Sequence, residues 1–195
     1  VLAGDVPGVG DDIGRIVVDP TNSDVVYVAA QGPLWSAGGE RGLYKTTDGG
    51  KTFSKVLFVN DSTGAIDLHL DPSNPDVMYA ATWQAYRTSW AMSSGGTGSA
   101  IWKSTDGGTT WTSLTKTAKG LPTGTVGKIG LTISPAKPSR LWAVIEHDSG
   151  GVYRSDDAGA TWSYINRDRK LRQRAWYYSN LVADPKDTNV VYALN

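Results

Sequence analysis

One box recurs three times along the chain: Thr46-Thr47-Asp48-Gly49-Gly50-Lys51-Thr52-Phe53, Ser104-Thr105-Asp106-Gly107-Gly108-Thr109-Thr110-Trp111 and Ser155-Asp156-Asp157-Ala158-Gly159-Ala160-Thr161-Trp162. The shared form is S/T-x-D-x-G-x-T-W/F, and its Asp residues stand 58 and 51 positions apart. A second motif runs in phase. It is a short apolar segment ending at Asp19-Pro20, Asp71-Pro72, Ser134-Pro135 or Asp184-Pro185, followed by Val26-Tyr27-Val28, Val77-Met78-Tyr79-Ala80, Leu141-Trp142-Ala143-Val144 or Val191-Tyr192-Ala193. Self-similarity at a period near 50 residues limits the chain to a few repeat architectures.

Each unit reads as four strands. Strand A runs into the Asp-Pro turn, strand B leaves it, strand C enters the box and strand D leaves it. In the first unit these are about Ile13–Asp19, Val25–Ala30, Leu43–Thr47 and Thr52–Leu57. Proline donates no ladder hydrogen bond, and the residue before it avoids the helical region, so Asp-Pro ends strand A. The box glycine supplies the positive φ of a tight hairpin. No stretch keeps helical apolar spacing for more than about a turn. Four-stranded units in tandem make an all-β fold, a β-propeller. The expected blades are 13–57, 65–114 and 126–165, with a half blade at 177–195, all in one domain. Three and a half blades make an incomplete ring, since propellers close with about four to eight. The remaining blades of a longer chain, or a second copy, are therefore the expected partners. The start at Val1, without Met or signal sequence, is expected to reflect processing or a longer parent.

Composition narrows the function classes. Lys plus Arg number 19, as do Asp plus Glu, and this balance argues against nucleic acid. No apolar run reaches the roughly 18 residues of a membrane span. Cysteine is absent, which removes disulfide and thiolate-metal chemistry. Neither metal nor cofactor is expected, because no box has the D-x-D-x-D-G spacing of a calcium loop.

The repeated carboxylates Asp48, Asp106 and Asp157 are assigned to folding, together with Trp111 and Trp162. Their side chains lock hairpin turns by bonding nearby backbone N–H groups. A catalytic pair would occur once per ring and not once per blade. The long segments belong to the other face: Gln31–Arg41, Trp83–Ser99, Glu146–Gly150, Phe58–Gly64, Thr115–Thr125 and Asn166–Trp176. Long loops on a rigid scaffold carry function. Trp35, Arg41, Arg87, Trp90, Arg174 and Trp176 are the candidate ligand-binding residues there, since indoles and guanidinium groups suit glycan or peptide recognition. The competing reading folds Trp35, Trp83 and Trp90 back as lids on the blades. The run Arg167–Arg174 reads either as an anion site or as a solvated loop. Arg15, Asp67, His69 and Asn180, near the starts of inner strands, either face the channel mouth or satisfy one another.

The boxes resemble the Asp box, or bacterial neuraminidase repeat, of sialidases, xyloglucan-hydrolysing propellers and sortilin-type receptors. Ile13–Pro20, Gly42–Gly50, Glu146-His147 before Gly150–Ser155, and Trp176–Ser179 extend the resemblance to large bacterial proteins described as sortilin-like or as glycosyl hydrolases with BNR repeats. It implies a secreted, periplasmic or cell-surface bacterial propeller that binds glycan or peptide through its long-loop face. The alternatives are a xyloglucanase-like glycoside hydrolase with part of its site in missing blades, and a structural scaffold. In the xyloglucan-hydrolysing relatives an Asp follows strand B. The matching positions here are Ala30-Gln31, Thr82-Trp83 and Glu146-His147, so Glu146 is the catalytic candidate, with Glu40 as its partner.

Overall fold

The computed structural model describes residues 12–194; residues 1–11 and 195, which include Val1 and the last residue of the expected half blade, lie outside it. The first sheet is β1 (Ile13–Asp19), β2 (Asn22–Ala30), β3 (Gly42–Thr46) and β4 (Ser54–Leu57), paired in that order. The second is β5 (Thr63–Asp71), β6 (Asn74–Arg87), β8 (Ala100–Ser104) and β9 (Thr112–Ser113), with β7 (Met92–Ser94) paired to the far end of β6. The third is β10 (Ile129–Ser134), β11 (Lys137–Ile145), β12 (Gly151–Ser155) and β13 (Ser163–Asn166). β14 (Asn180–Ala183) and β15 (Val191–Leu194) form a two-stranded sheet. The pairings between these strands are all antiparallel. The helical segments among the described residues are α1 (Leu114–Thr117) and a 3-10 turn at Arg169–Leu171. The chain is all-β, an open arc of propeller blades.

Each box closes its hairpin in the same way. Asp106 accepts from Ser104 Oγ (2.8 Å), Thr110 N (2.9 Å) and Thr110 Oγ1 (2.6 Å), while Gly108 N donates to Ser104 Oγ (3.0 Å). Asp157 and Asp48 repeat the set with Ser155 and Thr161, and with Thr46 and Thr52. These bonds favour the ionised carboxylate. The Thr110 and Thr161 hydroxyls lead in lowering the Asp106 and Asp157 pKa to about 2, and the Thr52 hydroxyl leads in holding Asp48 well below the ordinary carboxylate range. The box turns sit against the strand A–B turns, through Gly49 N to Asp24 O, Gly107 N to Asp76 O and Ala158 N to Ser139 O.

Apolar rows face across the sheets. Tyr27, Ala29, Leu43 and Leu57 pack on Leu68, Met78 and Ala80 of the next blade, with Trp102 and Trp111 partly buried beside them. Tyr79, Ala81, Ile101 and Leu114 pack in turn on Leu131, Leu141, Ala143, Tyr153 and Trp162. The inner strands approach closely: a Cβ at Gly130 would collide with the Ser179 carbonyl.

Position does not decide burial on the inner strands. Leu68, Leu131 and Leu181 are buried as their register demands, but Ile16 is 47% exposed. At the other end of the arc, Leu181 and Ala183 pack on Trp142, Val144 and Val152. The open row of the last sheet is Val182, Tyr192 and Leu194.

Candidate functional site

β11 delivers Glu146 at its C-terminal end, where the chain turns back towards β12. The Glu146 carboxylate accepts from Lys128 N (2.8 Å) and from the Ser94 hydroxyl, both on Oε2, leaving Oε1 uncommitted among the described residues. Glycine at 127 is required by this seat, since a Cβ there would overlap Oε2. Ser94 in turn accepts from Trp83 Nε1 at 3.0 Å. Trp83 is 2% exposed and meets Trp176 edge to face, with ring centroids 4.9 Å apart. Lys128 Nζ lies 5.3 Å from the Trp83 ring centroid. Burial lowers the Lys128 pKa, while the charges of Glu146 and Asp67 work against that shift. A carboxylate, an ammonium and two indoles are thus joined in one network by the second and third blades and the segment before β14.

Two adjoining clefts share Glu146, Arg172 and Gln173. One, of about 320 Å³, is lined also by Met92, Arg174 and Trp176–Tyr178. The other, of about 400 Å³, is lined by Ser94, Thr125, Gly127, His147, Asp148 and Arg169. Arg172 braces the wall between them, donating to His147 O (2.7 Å) and Asp148 O (3.4 Å). Ser149 N donates to His147 Nδ1 at 3.1 Å, which makes Nδ1 an acceptor and places the N–H of a neutral ring on Nε2. The arrangement offers aromatic faces, guanidinium donors and the carboxylates of Glu146 and Asp148 to a hydroxyl-rich ligand.

The candidate residues separate into three groups. Glu146, Arg174 and Trp176 line the clefts. Trp35, Arg87 and Trp90 stand apart from both: Arg87 stacks on Trp35 with its guanidinium carbon 5.3 Å from the ring centroid, and Trp90 is 86% exposed. The segment carrying Arg87 and Trp90, expected as a loop, is a hairpin made by the extension of β6 and by β7. Of the three possible lids, Trp83 alone folds in, while Trp35 and Trp90 remain exposed.

Arg41 and Glu40 depart from expectation. Arg41 is 1% exposed, and its guanidinium donates to Gln31 O, Pro33 O, Ser36 O and Gly38 O. It holds its own loop together and presents nothing to a ligand. Glu40 accepts from the Tyr44 hydroxyl, lies 3.5 Å from Lys55 Nζ and lines neither cleft. The Tyr44 bond, followed by the Lys55 charge, lowers its pKa, which suits an ionised surface group and not a proton donor. Arg15, Asp67 and His69 satisfy one another, with Arg15 Nε to Asp67 Oδ1 at 3.2 Å and His69 Nε2 to Asp67 Oδ2 at 3.3 Å. Burial works against the Asp67 charge, but the His69 bond and the His69 and Arg15 charges hold its pKa low. Ser94, Tyr177 and Tyr178 line the clefts, and Lys128 donates its backbone N–H to Glu146 beside them; the repeat pattern alone does not single these out, and the Trp176-Tyr177-Tyr178 run is the one sequence signal for the two tyrosines.

No protein-family model matches the chain. Among curated proteins, a xyloglucanase of Hypocrea jecorina (strain QM6a) is 26% identical over 188 residues, which is 84% of this chain and 20% of that protein. A xyloglucanase of Paenibacillus sp is 33% identical over 108 residues, covering 54% of this chain and 10% of that protein. Among solved structures, the GH74 xyloglucanase from Xanthomonas campestris matches with a TM-score of 0.66 at 19% identity, over 92% of this chain and 26% of that one. An ancestral GH74 enzyme matches with a TM-score of 0.55 at 18% identity, over 83% and 19%. The chain spans about a fifth or less of the curated relatives it matches. The structural likenesses establish the propeller fold. The names of the sequence relatives favour the glycoside-hydrolase alternative over the sortilin-like reading.

Proposed function

We propose that this chain is a glycan-binding arc of a xyloglucanase-like glycoside hydrolase. The observation that carries the reading is Glu146, seated between two clefts that also present Trp176, Tyr177 and Arg174. An aromatic face packs against the apolar face of a pyranose, and guanidinium groups donate to its hydroxyls. The relatives named for xyloglucan hydrolysis support a β-glucan with side-chain sugars as ligand class. A secreted or cell-surface location belongs to the same reading, since such polysaccharides lie outside cells.

Hydrolysis needs two carboxyl groups roughly 5–10 Å apart on opposite sides of the scissile bond. Asp148, two residues from Glu146, lies on the same wall of the second cleft. The partner carboxylate therefore belongs to blades outside this stretch, and the 195-residue chain binds without cleaving. Calorimetric titration with xyloglucan oligosaccharides, run beside a reducing-end assay, tests this. The expected result is saturable binding with no released ends, weakened about tenfold or more by Trp176→Ala, a loss of at least ~1.4 kcal/mol. Binding that Trp176→Ala leaves unchanged contradicts the reading, as does any release of reducing ends by the 195-residue chain.

A further inference from the structure

Strands B and C of each blade carry a donor pair that grips the box of the next blade. Tyr27 on β2 is paired in register with Lys45 on β3, and Tyr27 Oη (3.1 Å) and Lys45 Nζ (2.8 Å) both donate to Gly107 O in the second box. Tyr79 on β6 is paired with Lys103 on β8, and they donate to Ala158 O in the third box at 3.1 and 2.9 Å. Gly107 and Ala158 each follow the box Asp. In both blades the cation also lies over the ring, 5.2 and 5.5 Å from the centroid.

The third blade repeats the pair as Trp142 on β11 and Arg154 on β12, again in register and with the guanidinium carbon 5.6 Å from the ring centroid. Trp142 is 3% exposed, and its Nε1–H is buried with no hydrogen-bond partner among the described residues. A buried donor without an acceptor is costly, so its site calls for one. Beside it lies a groove of about 310 Å³, lined by Trp142, Val152, Ile165, Leu181, Val191 and Ala193 among others. In the two interfaces already formed, the corresponding space holds the strand C aromatic and the box Trp of the next blade: Trp102 and Trp111, then Tyr153 and Trp162. The β14–β15 sheet contributes Leu181, Ala183 and Val191 to the third interface, and no aromatic residue of that kind.

We propose that Trp142 Nε1 and this groove form a docking site for an Asp-box β-hairpin that follows β15 in the same polypeptide. The backbone carbonyl after the hairpin's box Asp accepts from Trp142. Its strand C aromatic and box Trp fill the groove, and its first strand pairs along the edge of β15. Continuity favours one polypeptide over a second copy, because the boxes of a second copy are already folded into four-stranded blades of their own.

The test extends the chain after Asn195 with a copy of its own Glu146–Asn166. A control extension carries Ala at the copied box Asp and Trp. The Trp142 indole N–H resonance is identified by its loss in Trp142→Phe. The intact extension is expected to move that resonance downfield and to raise Tm by at least about 4 °C, and the control to do neither. An extension that changes neither signal overturns the proposal. So does a 195-residue chain that dimerises in sedimentation while the Trp142 resonance shifts with protein concentration, since the occupant is then a second copy.

Discussion

Trp111 and Trp162 occupy the same box position and donate the same bond, from Nε1 to Gly108 O and to Gly159 O at 3.0 Å. Their burial differs. Trp162 is 5% exposed inside the cluster between the second and third blades, while Trp111 is only partly buried against the first. Trp162→Ala is therefore expected to lower stability by about 3–5 kcal/mol, and Trp111→Ala by less, in denaturant unfolding with unchanged m-value. The box carboxylates give a pH signature. Asp106 and Asp157 are lowered from the ordinary 3.8 to about 2. A depressed folded-state pKa contributes stability that is complete above the unfolded value and lost as pH falls through the folded one. Tm should thus fall between about pH 4 and pH 2, with Asp67 and Asp156 contributing in the same direction. Asp157→Asn is expected to make that fall shallower; a fall as steep as wild type would contradict the role assigned to the box. At this scale the sequence pattern exposed the recurring Asp, Thr and Trp because each is fixed by local bonds. It did not expose Arg41, whose four carbonyl acceptors belong to a loop without a repeat, so an interior brace read as a surface donor.

Strand periods and Asp-Pro turns made the blades legible, because each strand is limited by a residue with one local consequence. β6 escaped that logic. It runs 14 residues against 9 for β2 and β11, and its extension with β7 lifts Trp83–Ser94 into a hairpin inside the stretch Trp83–Ser99, which its length between strands B and C made look like loop. That hairpin supplies Ser94 to Glu146 and Met92 to the cleft, so the missed element is also one that builds the site. Contacts between blades were likewise hidden, since the Tyr–Lys grip joins residues about 60 to 80 positions apart. Tyr79→Phe removes one hydroxyl from that grip and leaves the ring in place. The expected loss is about 0.5–1.5 kcal/mol, read as a lower denaturation midpoint without change in glycan affinity. An unchanged midpoint would show that Lys103 alone holds the Ala158 turn.

On the scale of the whole molecule, the proposed binding rim lies apart from the turns that close the blades. Box turns and strand A–B turns lie together at one end of the blades, bonded through Asp24, Asp76 and Ser139. Glu146 leaves the opposite end of β11, beside the hairpin of the second blade and the Arg172–Tyr178 segment that leads into β14. Residues more than 80 positions apart meet there because successive blades present the same edge to one rim. Chemical-shift mapping of the labelled protein during titration with a xyloglucan oligosaccharide tests this division most directly. The account predicts shifts at Ser94, Glu146, His147, Arg174 and the Trp176 indole, with Asp19, Asp71 and the Asp106 and Asp157 boxes unmoved. Shifts confined to the box and Asp-Pro turns, with the Trp176 indole silent, would contradict it.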